Sequence, residues 1–513
     1  MRSTFMGLET ARRGMFTQQS ALYTTGQNVA NASTPGYSRQ RVNFSQTEPY
    51  PGAGMNMPQL PGQMGTGVKA DSVQRIRESF LDVQYRNENN KLGYWQTRAD
   101  SMDKMESIMN EPSDSGLSTV MDQFWQSLQD LAVDPTNSGA RSVVRQRGEA
   151  VSETFNYLYS SLSTVKQDQN DQIDVTVKEI NSITYQLDQV NKQIGSVEPH
   201  GLLPNDLYDE RDRLIDQLSS LVNIKVEYEP SKGNADPKAE GTATVKLIND
   251  SGSELGILLG GSSSNQLNVN YNGVDGSVKT ISIGSTNIDF SNLNSSGKLS
   301  ALIESYGYES NGSETGVYSK MLNDLDNLAF TFAMEFNDVH SKGLSPNEIA
   351  SGKTEEIPFF SGATPTDVQK GYAARIGLSD QINASLDNIA TAGGTDPTKA
   401  TLGDSTNITA LANVINQKLE YSPNQMSDFR NYYQNVIGGM AVISQEATRL
   451  AANTSSLQQS VDQKRQSVSS VSLDEEMTNM VQFQHAYNAS ARMITIQDEM
   501  LDKIINGMGT GGR

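Results

Sequence analysis

The sequence predicts a mainly α fold with an inserted β domain, built from elongated, discontinuous domains: terminal helices that pair as a coiled coil, a long helical bundle and a small β domain. Three observations lead there. Apolar residues recur every seven positions at both chain ends, another heptad row runs through the middle, and period-two alternation recurs through residues 223–296.

The N-terminal row is Leu8, Met15, Leu22 and Val29, flanked by Phe16, Tyr23 and Ala30, which reads as a coiled-coil seam. It runs into NVANASTPGYSRQRV, where a helix must stop. Asn31 is suited to a left-handed cap, Pro35 presets one central turn position, and Gly36 supplies the positive φ of a type II turn at the next. Tyr37 onward alternates polar and apolar residues as an extended arm does. Arg39 and Arg41, two apart on that arm, share a face, which reads either as a paired cationic docking point for an acidic neighbour or as two solvated side chains.

Beyond the arm, Leu117, Val120, Met121, Phe124, Leu128 and Leu131 follow the spacing of an amphipathic helix, and Ile173, Ile180, Leu187 and Ile194 are again seven apart. After NDLYDERDRLIDQLSSLV, Ile224, Val226 and Tyr228 alternate with charged residues, and Val245 with Leu247, Leu267 with Val269, and Ile281 with Ile283 continue the strand pattern. Helical periodicity resumes at Leu299 and in MLNDLDNLAFTFAMEFNDV. Residues 343–405, rich in Gly, Pro, Ser and Thr, read as a long surface excursion. The C-terminal seam is Leu473, Met480, Tyr487, Ile494 and Leu501, with Met477, Ala491 and Ile505 each four residues after a member of that row. Ser472 and Glu475 make a capping box, Asp474, Glu475 and Glu476 suit the helix dipole, and Asn506 with Gly507 can close the helix. The expected domains are 1–65 with 466–513 (terminal coiled coil and arm), 66–222 with 297–465 (helical), and 223–296 (an outward β domain).

Composition excludes several functions. Sixty acidic against forty basic residues give a net charge of -20, a field that repels nucleic acid. Apolar runs such as LGILLGG fall short of the roughly 20 residues of a membrane span. The N-terminus carries Glu9, Arg12 and Arg13 where a Sec-type signal needs an apolar core. There is no cysteine, so disulfides, thiol catalysis and cysteine-type zinc sites are absent.

No catalytic, cofactor or metal site is expected. His200, His340 and His485 lack partners at ligand spacing. NLNSSGKLSALIE begins like a calcium loop but has Ile303 at the twelfth position, so it reads as a helix start. GTGVKA lacks the third glycine of a nucleotide fingerprint. The LYDERDRL carboxylates read as a solvated helix face with Asp209 and Arg213 paired at i, i+4.

The two seams, the ANASTPGY turn and the segment SLDEEMTNMVQFQHAYNASARMITIQDEMLDKIIN together resemble the bacterial flagellar axial family of rod, hook and hook-associated proteins. SRQRV, NDLYDERDRLIDQLSSLVNIKVEY and LDNLAFTFAMEFNDVHSKGL are similar to its hook-filament junction members rather than to the shorter rod proteins. That resemblance implies a structural, non-enzymatic subunit with no cofactor. It also implies self-association in a helical or ring assembly, neighbours in the hook protein and a second junction protein, and a cytoplasmic export chaperone at the C-terminal helices. The expected location is extracellular, reached through the flagellar export channel without a cleaved signal peptide. A hook-type axial protein, or a secreted coiled-coil adhesin or effector, is the alternative. An enzyme riding on the scaffold would need an acid-base pair within 223–405.

Overall fold

A computed structural model of the 513-residue chain describes residues 5–50, 62–111, 113, 116–260, 263–273, 276–364, 366–422 and 425–507. The helices are α1 (Phe5–Ala30), α2 (Ser79–Met109), α3 (Leu117–Val133), α4 (Ser138–Val197), α5 (Asn205–Leu221), α6 (Lys298–Tyr306), α7 (Val317–Ser341), α8 (Pro346–Ser351), α9 (Asp380–Ala384), α10 (Thr406–Asn413), α11 (Phe429–Ser469) and α12 (Leu473–Gly507). The chain divides into two compact units, the first made of 1–90, 180–266 and 455–513, the second of 91–179 and 267–454.

The first unit holds α1, α5, α12 and an antiparallel hairpin of β1 (Gln40–Gln46) and β2 (Val68–Arg75), in which Val42 pairs with Val73. Its second sheet runs in the order β3 (Ile224–Glu229), β4 (Thr242–Ile248), β5 (Glu254–Gly260), β6 (Ser263–Ser264), all antiparallel. Ile224, Val245, Leu247 and Leu259 supply its buried face. The Asn191 carboxamide of α4 takes up both the N–H and the C=O of Ala243, fixing β4 to that helix.

The second unit has its own sheet of β7 (Leu267–Tyr271), β8 (Val278–Ile283), β9 (Thr286–Asp289), β10 (Tyr308–Ser310) and β11 (Ser313–Thr315), and a small hairpin of β12 (Leu419–Ser422) and β13 (Gln425–Ser427). The stretch expected as one outward β domain at 223–296 is thus two sheets in two units. The alternation is continuous in sequence, but it does not tell which helix each apolar face covers. Sheet strands at 224–264 anchor to α4 and α5 through Asn191, Arg211 and Tyr228. Strands from 267 onward instead use Tyr271, Phe290 and Tyr308, whose rings pack on Tyr306 and each other.

The heptad row Ile173, Ile180, Leu187 and Ile194 is fully buried, as are Leu117, Met121, Phe124, Leu128 and Leu131. Residues 343–405 depart from expectation. They are not a surface excursion but complete the core of the second unit. Phe359 and Phe360 join Phe124, Trp125, Phe332 and Phe336 in a ring cluster with centroids 5.0 Å apart for Phe336 and Phe359 and 5.2 Å for Phe332 and Phe360. Side chains of α7 stand in for a sheet. Asn337 donates to the Phe360 carbonyl and accepts its N–H, both at 2.8 Å, and Asp326 accepts the N–H groups of Gly371 and Ala373. His340 bonds the Ile357 carbonyl through Nδ1 and accepts the Ala390 N–H at Nε2, which places its proton on Nδ1. A segment satisfied in this way needs no regular period, so none is visible in its sequence.

Candidate assembly site

The two predicted seams meet. In the first unit α1 and α12 run antiparallel, with the Gln497 side chain over Gly7 and Ser490 over Gly14. At these two points a glycine of α1 faces α12. The buried positions of α1 are Ala11, Thr17, Ala21, Thr24, Thr25 and Asn28, while Leu8, Met15, Leu22 and Val29 flank them half-buried. On α12, Met480, Tyr487, Ile494 and Leu501 are half-buried, whereas Leu473 is exposed. A second row lies three residues on from members of the first, at Glu476, Phe483, Ser490 and Gln497; of the residues expected four on, Ala491 is half-buried while Met477 and Ile505 face outward. Glycine, alanine and serine let the helix backbones approach closely, which large side chains would prevent.

The turn forms as its residues require. The Tyr37 N–H donates to the Thr34 carbonyl, enclosing Pro35 and Gly36, and Gly36 has φ +83°. Asn31 differs from expectation: it is not left-handed, a conformation taken among the described non-glycine residues by Asn110, Asn294 and Asn311. It instead ends α1 by donating both its backbone N–H and its side-chain amide to the Gln27 carbonyl. Gly67, with φ +115°, brings the returning strand β2 against Thr10 of α1, where Thr17 Oγ1 reaches the Val68 carbonyl.

Arg39 and Arg41 do not form a paired outer face. Arg39 turns inward, donating Nε to Glu476 at 2.7 Å and Nη1 to Glu475 at 2.6 Å, while its backbone N–H donates to the Ser469 carbonyl at the end of α11. Arg41 remains exposed. The acidic first turn of α12 supplies the counter-charge, which the alternation rule for a free strand cannot foresee. Beside it, Asn28 has every bond its carboxamide can make with two donors and two acceptor sites. It donates to Glu476 and the Gln40 carbonyl, and accepts from the Gln40 N–H and the Tyr37 hydroxyl. Burial, with Asp209, Asp206 and Glu476 nearby, pushes the Tyr37 hydroxyl well above its ordinary pKa, so it stays a donor.

Beneath the arm, the helix expected to be a solvated charged face is instead an ionic core. Asp209 pairs with Arg75 rather than Arg213, which turns to Glu210. Asp212 is bonded by Arg75 and Arg77 at 3.0 Å and by Arg86 at 3.2 Å; Arg86 and Arg465 share Asp216. Burial raises the Asp212 carboxyl, but Arg77, Arg75, Arg211 and Arg86 outweigh it and hold the group far below the usual carboxylate range. At Asp209 burial prevails over Arg75, and its pKa is raised. Ser38 at the arm's root donates its N–H to Asp209, so the arm is seated on this core.

The sequence pattern indicates neither Asn28, nor the pairing of Glu476 with it and with Arg39, nor the Phe44 and Phe483 ring pair, 6.1 Å apart. The column Gly7, Gly14, Ala21, Asn28 was available at heptad spacing, but the larger apolar row beside it dominates the pattern. Among the described residues no helix is long and apolar enough to cross a membrane.

Both chain ends belong to one class of protein. Residues 8–37 match the model described as flagella basal body rod protein, and 462–507 match flagellar basal body rod FlgEFG protein C-terminal, so seam, turn and final helix are those of flagellar axial proteins. Between them, residues 102–356 match the flagellar hook-associated protein FlgK helical domain. The chain is 48% identical to flagellar hook-associated protein 1 of Bacillus subtilis over 100% of both chains, and 25% identical to that of Salmonella typhimurium over 97% of this chain and 98% of the relative. The solved flagellar hook junction protein FlgK from Burkholderia pseudomallei shares the fold, with a TM-score of 0.57 at 15% identity over 76% of this chain and 100% of that one. The chain belongs to the flagellar hook-associated protein 1 family, structural proteins of the hook-filament junction.

Proposed function

We propose that the paired terminal helices and the arm are the assembly end of a junction subunit that packs against copies of itself between hook and filament. The observation that carries this is the sidedness of the pair. Gly7 and Gly14 of α1 lie under the side chains of α12, while Phe16, Tyr23, Met493, Ile496 and Met500 stay outside, 42% to 75% exposed. Apolar surface of that extent on helices marks an interaction face. In a repeating assembly its occupant is the same face of the next copy, with the hook protein and a second junction protein as axial neighbours. Before export, the cytoplasmic chaperone covers the C-terminal part of this face, and the chain leaves through the flagellar channel without a cleaved signal peptide to act outside the cell. The buried carboxylates beneath the arm are committed to arginines, which suits a structural and not a catalytic role.

The test replaces Met493 and Met500, one heptad apart and both exposed, with aspartate. The purified monomer should melt as the parent does, because neither side chain is in the core, while cells should carry hooks without filaments and release flagellin. Motile cells with attached filaments would remove the terminal face from the assembly.

A further inference from the structure

Contacts along the antiparallel α1 and α12 repeat every seven residues. Gln497 lies over Gly7, and Ser490 over Gly14, where a Cβ would sit 3.9 Å from that of Ser490. Two heptads further on α1, and two back on α12, Asn28 meets Glu476 at 3.0 Å. By the same spacing Ala21 falls opposite Phe483, whose ring also packs on Phe44. On α1 the column is therefore Gly, Gly, Ala, Asn. Its three small residues accept whatever faces them. The flanking rows do not choose a register either, because Leu8, Met15, Leu22 and Val29, like Met480, Tyr487, Ile494 and Leu501, repeat with the same period. A slide of one heptad exchanges one apolar side chain for another.

Two features resist, the Phe44 and Phe483 ring pair, which a slide of α12 would separate, and the end of the column. A slide one way carries Asn28, 1% exposed, against Phe483 and strips its bond to Glu476. A slide the other way carries Glu476, 2% exposed, against Ala21 and away from both Asn28 and Arg39. Each leaves a buried polar group without its partner, the costly case for an amide or a carboxylate. A single buried asparagine fixes register in parallel coiled coils by the same logic. We infer that Asn28 and Glu476 set the axial register of the terminal helix pair. They also set where the arm leaves it, because Asn28 holds Gln40 and Tyr37 with the same amide. Both are positioning residues, and the inference concerns one folded chain, independent of what its outer face docks against.

The chain has no cysteine, so introduced pairs report cleanly. Gly14→Cys with Ser490→Cys reads the native register, at a separation suited to a disulfide. Gly14→Cys with Gln497→Cys and Gly7→Cys with Ser490→Cys read the two one-heptad slides. In the full-length monomer under mild oxidation, the native pair should cross-link in excess over either slid pair by on the order of tenfold or more. With Asn28→Leu, and again with Asn28→Leu and Glu476→Leu together, a slid pair should form to a comparable extent while circular dichroism keeps its helical signal. Native-only cross-linking in both variants would overturn the inference. So would free sliding in the parent, or loss of all three cross-links in the variants, which would make the node a clamp and not a register lock.

Discussion

Arg39 Nε donates to Glu476 Oε1 across 2.7 Å, joining two residues 437 positions apart in sequence. Its Nη1 reaches Glu475, and the Glu476 side chain is only 3% exposed. Reversing one charge of such a buried pair leaves the other uncompensated, which costs about 3 to 5 kcal/mol. Arg39→Glu should therefore lower the denaturant midpoint of the first unit and speed amide exchange in β1. Glu476→Arg in the same chain should restore part of the loss. Arg41→Glu, on an exposed side chain, should change stability by no more than about 0.5 kcal/mol. Equal effects of the two arginine variants would contradict the inward role of Arg39.

The difference between these arginines shows what could be read from the sequence. Heptad rows, turn residues and the start of α12 near Leu473 follow from local chemistry and were all legible. So was the positive φ at Gly36. Partner choice was not. Arg39 and Asp209 each carry a charge whose local neighbours suggest solvent, and each is claimed by a residue far along the chain. The face of a helix that is buried also depends on its partner. In the small column of α1, Ala21 and Asn28 are buried and Gly7 and Gly14 half-buried beneath the partner helix, a closeness that a count of large apolar residues does not register.

Acid should weaken the second unit through His340. Burial holds its pKa down at about 4, against 6.5 for the free side chain, so between these values the unfolded chain binds the extra proton. The contribution is whole above pH 6.5 and is lost as pH falls from 6.5 toward 4, by roughly 3 kcal/mol at the lower end. His340→Gln should be less stable at pH 7.5, where it lacks part of the bonding to Ile357 and Ala390, but should lose less of its stability on acidification. Parallel melting curves of both proteins from pH 7.5 to 4.5 decide this, and an unchanged gap between them would count against it.

Phe360→Ala provides a test of the loop-rich segment as core. The ring is fully buried among Phe332, Phe336 and Phe359, and large-to-small changes at such sites cost about 3 to 5 kcal/mol. A surface excursion would tolerate the change with a shift under about 0.5 kcal/mol. Urea denaturation followed by near-ultraviolet signals from Trp125, which contacts Phe332 and Phe336 in the same cluster, separates the two outcomes.

The terminal helices should be the least protected regular structure in the free chain. The large apolar residues of α1 and α12 are at most half-buried, and the fully buried positions of α1 are small or polar, so less apolar area leaves water there than along α3 and α7. Burial contributes about 25 cal/mol per Å² of apolar surface, and ordering each residue costs on the order of 1 to 2 kcal/mol. Interfaces poor in apolar contact open at low free energy. The protection should be graded. Residues 473–480 are held by Arg39 and Asn28, whereas the stretch from Met493 to Gly507 lacks any comparable polar anchor among its described contacts. Amide exchange on dilute monomer should show α12 exchanging fastest beyond Met493, α1 fastest toward Phe5, and both far ahead of α3 and α7. On assembly, contacts at the outer faces should slow exchange along the whole of both helices. Uniform strong protection of α1 and α12 in the monomer, equal to that of α7, would mean that the pair is stable alone and that assembly adds no order to it.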